Sequence, residues 1–381
     1  MSAEFAKKSY RPIPFTLSQP EPAMGKHPGL IVQKDKPYNA EPPAELLVET
    51  HCTPLDLFFV RNHGPVPQVD ADSFRLAITG AVRKPLRMSV DDLRSNFPKK
   101  TITATLQCAG NRRTDFLSLA PIPDEIPWTA QAVGTAIWGG VALAEVLRAA
   151  ELTGDAKHIA FCGLDEVEKE GARFGFGGSI SRDKAMSPEV IVAYEMNGKP
   201  LPPTHGFPIR AVVPGYLGAR SVKWLSNINA QIQPSGNYFQ VRAYKIFPPE
   251  VRAETADWGK GTVLEEMPVN SAICIPHPGE SLPAGLVEIR GYAMGKGGDR
   301  IEEVQFSRNN GATWMTAELQ GGNRWAWCFW RLAMEFCAGS YEWAVRARDA
   351  SGNTQPNDIR SVWNFKGYAN NAWHRVRVHV A

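Results

Sequence analysis

The sequence predicts an α+β protein of two domains, and three observations carry that prediction. Residues from about 50 to 250 mix the 3.6-residue and two-residue hydrophobic periods, with many glycine- and proline-rich breaks between them. Residues 248–269 carry prolines and charges with little periodicity, as a linker should. After Ser271 only the two-residue period remains, and 381 residues are too many for one comfortable core. The predicted organisation is a mixed domain over 1–250, a linker over 251–270 and an immunoglobulin-like β-sandwich over 271–381.

The elements follow in chain order. The first fifty residues, rich in proline and polar side chains, read as a wrap on the first domain's surface. Ser89 and Asp92 are spaced as a capping box ahead of a short helix. Val141, Val146, Leu147 and Leu152 mark a helical stripe over 141–152. Residues 159–162 and 209–213 read as short strands. In the C-terminal part, V-E-I-R at 287–290, V-Q-F-S at 304–307 and W-A-V-R at 343–346 alternate, and Asn310-Gly311 reads as a tight hairpin turn before Trp314. Short strands between turn signals over about a hundred residues suggest the sandwich.

Composition excludes several classes. The 42 basic and 39 acidic residues leave a net charge of +3, too balanced for a nucleic-acid or anionic-membrane partner. No apolar run is long enough to span a bilayer. The six cysteines form no C-x-x-C pair, so neither a zinc site nor a disulfide scaffold is indicated, and reduced thiols are the default. The first twenty residues hold no leader pattern and the V-H-V-A ending no peroxisomal address, so a cytoplasmic location is the simplest expectation.

One stretch stands apart. In T-I-T-A-T-L-Q-C-A-G-N-R-R at 101–113, Ile102, Ala104, Leu106 and Cys108 share one strand face, so Cys108 points inward where the strand stops. Ala109, Gly110 and Asn111 bend the chain, and Arg112 and Arg113 follow at the rim. Two positive charges beside a cysteine favour its thiolate, a ligand for a soft metal next to an anion pocket. On spacing alone, the better reading of Cys108 is a small buried hydrophobe.

L-Q-C-A-G-N-R-R resembles the signature of the sulfite oxidase family, molybdenum-pterin enzymes that include the eukaryotic assimilatory nitrate reductases. The resemblance extends to R-N-H-G-P at 61–65, W-G-G at 138–140, Y-E-M-N-G at 194–198, H-G-F-P at 205–208 and G-A-R-S-V-K-W at 218–224. It continues through Y-K-I-F-P-P at 244–249, S-V-W-N at 361–364 and A-W-H-R-V at 372–376, covering about 53–376. Each block is weakly specific; their shared order and spacing are not.

The resemblance implies one molybdopterin with one molybdenum per chain, no haem or flavin, and Cys108 as the only protein ligand of the metal. It implies that Phe59, Val60, Arg61, Asn62, His63, Asp165, His205, Arg210, Ser221, Val222 and Lys223 hold the cofactor. The chemistry agrees, since Arg210 and Lys223 can neutralise a phosphate and Asp165 can accept pterin N–H groups. Without the resemblance, Arg210 reads as a surface strand residue and His205 as a loop residue satisfied by a carbonyl.

The substrate implied is sulfite or a similar small oxyanion, bound by Arg61 and Arg113, with Tyr244 beside the metal and Trp128 lining the pocket. The second domain implies a homodimer. Two departures from the family pattern weaken anion binding. Lys366 stands where an arginine is typical, so a fork becomes a point charge. The 114–127 loop also lacks the basic residue that many relatives carry. The implied reaction is oxygen-atom transfer to sulfite, with electrons passed to oxygen or a separate carrier such as a cytochrome. Nitrate reduction is the alternative, opposed by Tyr244, by the cation at 366 and by the absence of a following haem or flavin module. A catalytically silent relative is the third reading.

Overall fold

A computed structural model describes residues 25–381. The expected surface wrap therefore lies outside the described residues for 1–24. From there on, strands Ile31–Lys34 and Asn39–Glu41 pair antiparallel, and Ala40 bridges to Val60.

The first half of the chain is built on two sheets. In one, Lys99–Gln107, Val133–Ala142 and Ile191–Met196 lie side by side antiparallel, and Lys199–Pro200 and Arg210–Val212 both pair with Ile191–Met196. The other runs Leu86–Met88, Leu76–Gly80, Leu225–Gln231, His158–Lys169, Ala172–Ser181, with one parallel pairing between Leu225–Gln231 and Leu76–Gly80. The predicted strands at 159–162 and 209–213 fall within His158–Lys169 and around Arg210–Val212.

The capping box forms as predicted. Ser89 Oγ accepts from Asp92 N–H at 3.0 Å and the Asp92 carboxylate accepts from Ser89 N–H at 2.8 Å, opening helix Val90–Asn96. The helical stripe is shorter than its apolar pattern. Val141 belongs to strand Val133–Ala142, held between Lys99 and Val192, and the helix is only Leu143–Ala149. A β-branched residue paired on both edges stays in the sheet. Glu151, with φ +55, then turns the chain away before Leu152.

The C-terminal half is a two-sheet sandwich. Asn270–Ile275, Gly285–Met294, Cys328–Phe336 and Glu318–Gln320 form one sheet; Ser281–Leu282, His374–Val380, Gly339–Asp349, Ile301–Ser307 and Met315–Thr316 form the other. Asn310 and Gly311, at φ +53 and +90, turn the chain between Ile301–Ser307 and Met315–Thr316, but the connection is 308–314, longer than the tight hairpin expected. Ile273, Ile289, Ala293 and Trp330 face the second sheet's Phe306, Trp343 and Val345. Their strand neighbours Ala272, Cys274, Tyr292 and Met294 face the first half instead. Alternation thus lets one sheet serve two cores.

This packing explains a difference on Lys99–Gln107, where alternation leaves Thr105 and Gln107 on the outer face. Both are buried, and the sandwich covers Thr105: Trp327 N–H donates to Thr105 Oγ1 at 2.8 Å and Thr105 N–H donates to Trp325 O at 2.9 Å. Residues 359–369 leave the sandwich and return to the first half, where Trp363 packs with Phe116 and Ile122. Residues 262–263, expected to link the domains, pair with Lys245–Ile246.

Candidate active site

Cys108 lies one residue beyond strand Lys99–Gln107, buried, with Gly110 N–H 3.4 Å from its sulfur. It is on the wall of an inner cavity of about 670 Å³ together with Phe59, Arg61, Asn62, His63, Asp165, His205, Arg210, Ser221, Lys223 and Tyr244. An outer cavity of about 650 Å³ contains Lys366, Glu125 and Tyr368, and it shares Arg61, Asn62 and His63 with the inner one.

Charge in the inner cavity is lopsided. Arg210 donates to Ser221 O at 2.8 Å and to His205 O at 3.1 Å, its face over the Trp138 ring at 4.9 Å. Lys223 Nζ donates to Thr204 O at 2.9 Å and to Asn62 Oδ1. Burial pulls Arg210 down to about 9. Burial, reinforced by Arg210, pushes Lys223 well below the ordinary lysine range, with Asp165 opposing. Asp165 is pushed up to about 6 by burial, against the pull of Lys223 and the Phe176 N–H. Three basic side chains, Arg61, Arg210 and Lys223, face one carboxylate, and Arg210 is buried. Such a wall is destabilised by its own charge until an anion arrives. These residues fit a buried, phosphate-bearing pterin.

Tyr244 is also on the inner wall; its hydroxyl shares a 2.8 Å hydrogen bond with His63 Nε2 and its ring stacks on Tyr368 at 5.3 Å. Burial raises the Tyr244 hydroxyl far above its usual range. Burial, then Arg61 and Lys223, hold His63 well below the usual imidazole value. Tyr244 is therefore a fixed O–H and His63 a neutral partner.

The chain matches the model of the oxidoreductase molybdopterin binding domain over residues 63–239 and that of the Mo-co oxidoreductase dimerisation domain over 262–381. It is 44% identical over 362 residues to sulfite oxidase of Gallus gallus, covering 92% of this chain and 78% of that one. The chain belongs to the sulfite oxidase family. Sulfite oxidase of Arabidopsis thaliana is 39% identical over 392 residues, covering 96% and 97%. Among solved structures, the sulfane dehydrogenase SoxCD of Paracoccus pantotrophus superposes with a TM-score of 0.77 at 26% identity, covering 90% of this chain and 87% of that one.

Several expected sulfite oxidase positions fall elsewhere. Arg112 is not at the rim. It is fully buried, its Nε on Asp115 at 3.0 Å and its Nη1 on Asn270 Oδ1 and Ala372 O, both at 2.8 Å, so it joins the two halves. Arg113 lies behind the wall, donating to Ile126 O at 2.6 Å and Lys366 O at 3.1 Å. The cysteine is not held as thiolate by its neighbours: burial pushes the Cys108 thiol up, and Arg61 and Arg113 only moderate that. Thiolate ligation then depends on the charge of the metal itself.

Trp128 lines neither cavity. It packs in the apolar cluster of Cys108 and Leu106. Val60 and Val222 also stay in apolar clusters, and through Ala40 and Ala211 their backbones fix the segment before Arg61 and the strand that carries Arg210.

Three residues on the site went unread. Lys26 Nζ donates to Leu55 O at 2.6 Å and Phe58 O at 2.9 Å and lies 2.6 Å from His205 Nε2. A lone lysine in G-K-H-P gives no signal. Tyr368 stands two positions after Lys366, and Glu125 sits in the 114–127 loop that lacks the family's basic residue.

Proposed function

We propose that this chain oxidises sulfite to sulfate with bound molybdopterin, taking up water and passing two electrons and two protons outward. The observation that carries the reading is the junction at 61–63: Arg61 faces both a cation-rich inner cavity holding Cys108 and an outer cavity holding Lys366. When bound, the molybdenum centre supplies the two-electron oxidation and the oxygen-atom transfer. The protein supplies placement and charge.

Cys108 would hold the metal, while Arg210 and Lys223 would take the phosphate and Asp165 the pterin N–H groups. His205, Ser221, Asn62 and the Phe59 ring close the inner wall. Arg61 and Lys366 bind the anion directly, and Arg113 adds its field from behind the wall. The phenol of Tyr244, kept protonated by burial, donates to the reacting oxygens. A homodimer through the C-terminal sandwich, an external acceptor such as oxygen or a cytochrome, and a reducing, cytoplasmic setting complete the proposal. The six cysteines, all free, support the last.

Steady-state assays with sulfite plus ferricyanide, against nitrate plus reduced viologen, test the reading. Turnover with sulfite alone is expected. Cys108→Ser should abolish it while leaving the melting temperature in place. Full sulfite oxidation by that variant would discard the assignment, and purified protein lacking stoichiometric molybdenum after cofactor-competent expression would favour a silent relative.

A further inference from the structure

Glu125 puts a carboxylate where an anion pocket least needs one. Its Oε1 is ion-paired with Lys366 Nζ and its Oε2 lies 3.4 Å from Arg113 Nη2. Its side chain is only 15% exposed and Arg113's 3%, so the pairing is screened weakly by water. The loop reinforces it from both sides: Asp124 adopts φ +63, and the Ile126 carbonyl accepts from Arg113 Nη1 at 2.6 Å. Two of the three cations assigned to the oxyanion thus already have a partner within the chain. Arg61, the third, has amide partners only, Asn39 Oδ1 at 3.2 Å and Asn62 O.

Resting on the sulfite reading, we infer that Glu125 is a tethered competitor for the oxyanion, setting how tightly the pocket holds its dianions, product sulfate above all. A pocket of two arginines and a lysine with no carboxylate binds sulfate strongly, and strong product binding slows turnover. Glu125 takes back Lys366 as the product departs, and its standing pair with Arg113 offsets the field that this arginine sends into the pocket. Its repulsion acts on every anion in proportion to charge, so it weighs on a dianion about twice as heavily as on a monoanion.

Molybdenum-loaded, oxidised holoenzyme titrated with sodium sulfate and with sodium nitrate by calorimetry at low, fixed ionic strength tests this. Glu125→Gln should lower the sulfate Kd about tenfold, the size of one charge-assisted hydrogen bond regained, and the nitrate Kd about threefold. Glu125→Asp, which keeps the charge, should stay within about twofold of the parent. Glu125→Ala repeats the measurement if the Gln variant fails to load. In turnover, the fall should appear in KM for sulfite and in the sulfate inhibition constant together. A sulfate change under about threefold, or an equal gain for nitrate, overturns the inference. Tighter sulfate binding without sulfite turnover by any form would leave Glu125 standing and remove the sulfite reading. Turnover with unaltered sulfate affinity would do the reverse.

Discussion

Arg112 and Arg113 are adjacent, yet the structure gives them separable tasks, and replacing Arg112 by Met tests that separation. The left-handed backbone at Arg112, φ 64, turns its guanidinium away from Cys108 into the joint between the halves. There it meets Asp115, Asn270 and Ala372, and its own carbonyl accepts from Asn370 Nδ2 at 2.9 Å. Breaking a buried ion pair by deleting one partner costs about 3 to 5 kcal/mol. Asp115 is 26% exposed and keeps a 3.2 Å bond from Asn370, so the lower half of that range applies, while the stranded Asn270 and Ala372 acceptors push it back up. At about 2.1 cal/mol/K per residue, a chain of 381 residues unfolding as one unit loses about 1 °C for each 0.8 kcal/mol. Arg112→Met should therefore lower the calorimetric melting temperature of loaded enzyme by about 4 to 6 °C, and leave the sulfate Kd within about twofold. Arg113→Met should weaken sulfate instead. A melting shift below about 1 °C in the Arg112 variant, or a large loss of its sulfate affinity, would refute the division of labour.

Gly110→Ala strikes the same corner from the other side. An added Cβ would sit 2.6 Å from the Arg113 guanidinium carbon and both its terminal nitrogens, so the guanidinium must move; sulfite KM should rise several-fold, and an unchanged KM would show that Arg113 does not contribute. His374 gives a pH signature. Its Nδ1 accepts from Ile273 N–H at 3.1 Å, and burial lowers it from 6.5 to about 4. Between those values the unfolded chain binds more protons than the native one, so stability is complete above pH 6.5 and drains away as pH falls through 4. The span of 2.5 units corresponds to about 3 kcal/mol at 1.36 per unit. His374→Asn keeps an acceptor without a titration and should flatten melting temperature against pH in that window; an unaltered slope would assign the acid loss elsewhere.

What could be read in advance follows the range of the forces involved. The Ser89 cap and the Asn310-Gly311 turn are decided within four residues, so their local chemistry suffices. The inward face of Cys108 follows from the strand period. Burial of Thr105 on the opposite face depends on a sandwich more than two hundred positions away, which no local pattern reports. The cofactor positions came from resemblance, and the side chains that missed the cavity, Val60, Val222 and Trp128, are those whose motif match reflects packing. Arg112 shows the sharpest limit. In sequence it is one of two equivalent arginines; a single positive φ turns this one into the joint between the halves and leaves Arg113 behind the pocket wall.

The same economy explains why Arg61, Asn62 and His63 stand on both cavities. A phosphate and a substrate dianion each need cations, yet crowding them into one space has a cost, as Lys223 shows: burial lowers it first and Arg210 and Arg61 lower it further. Placing Arg210 and Lys223 on the inner wall and Lys366 on the outer separates the two groups, with Arg61 alone common to both. Asn62 makes that tripeptide a fixed partition. Its side-chain oxygen takes the Lys223 ammonium, its amide nitrogen donates to Tyr38 O at 3.0 Å, and its backbone oxygen takes Arg61. One neutral residue thus tethers Lys223 through its side chain and Arg61 through its backbone, without contributing a charge to either cavity. An aspartate there would set a carboxylate directly on the Lys223 ammonium and weaken its hold on an anion.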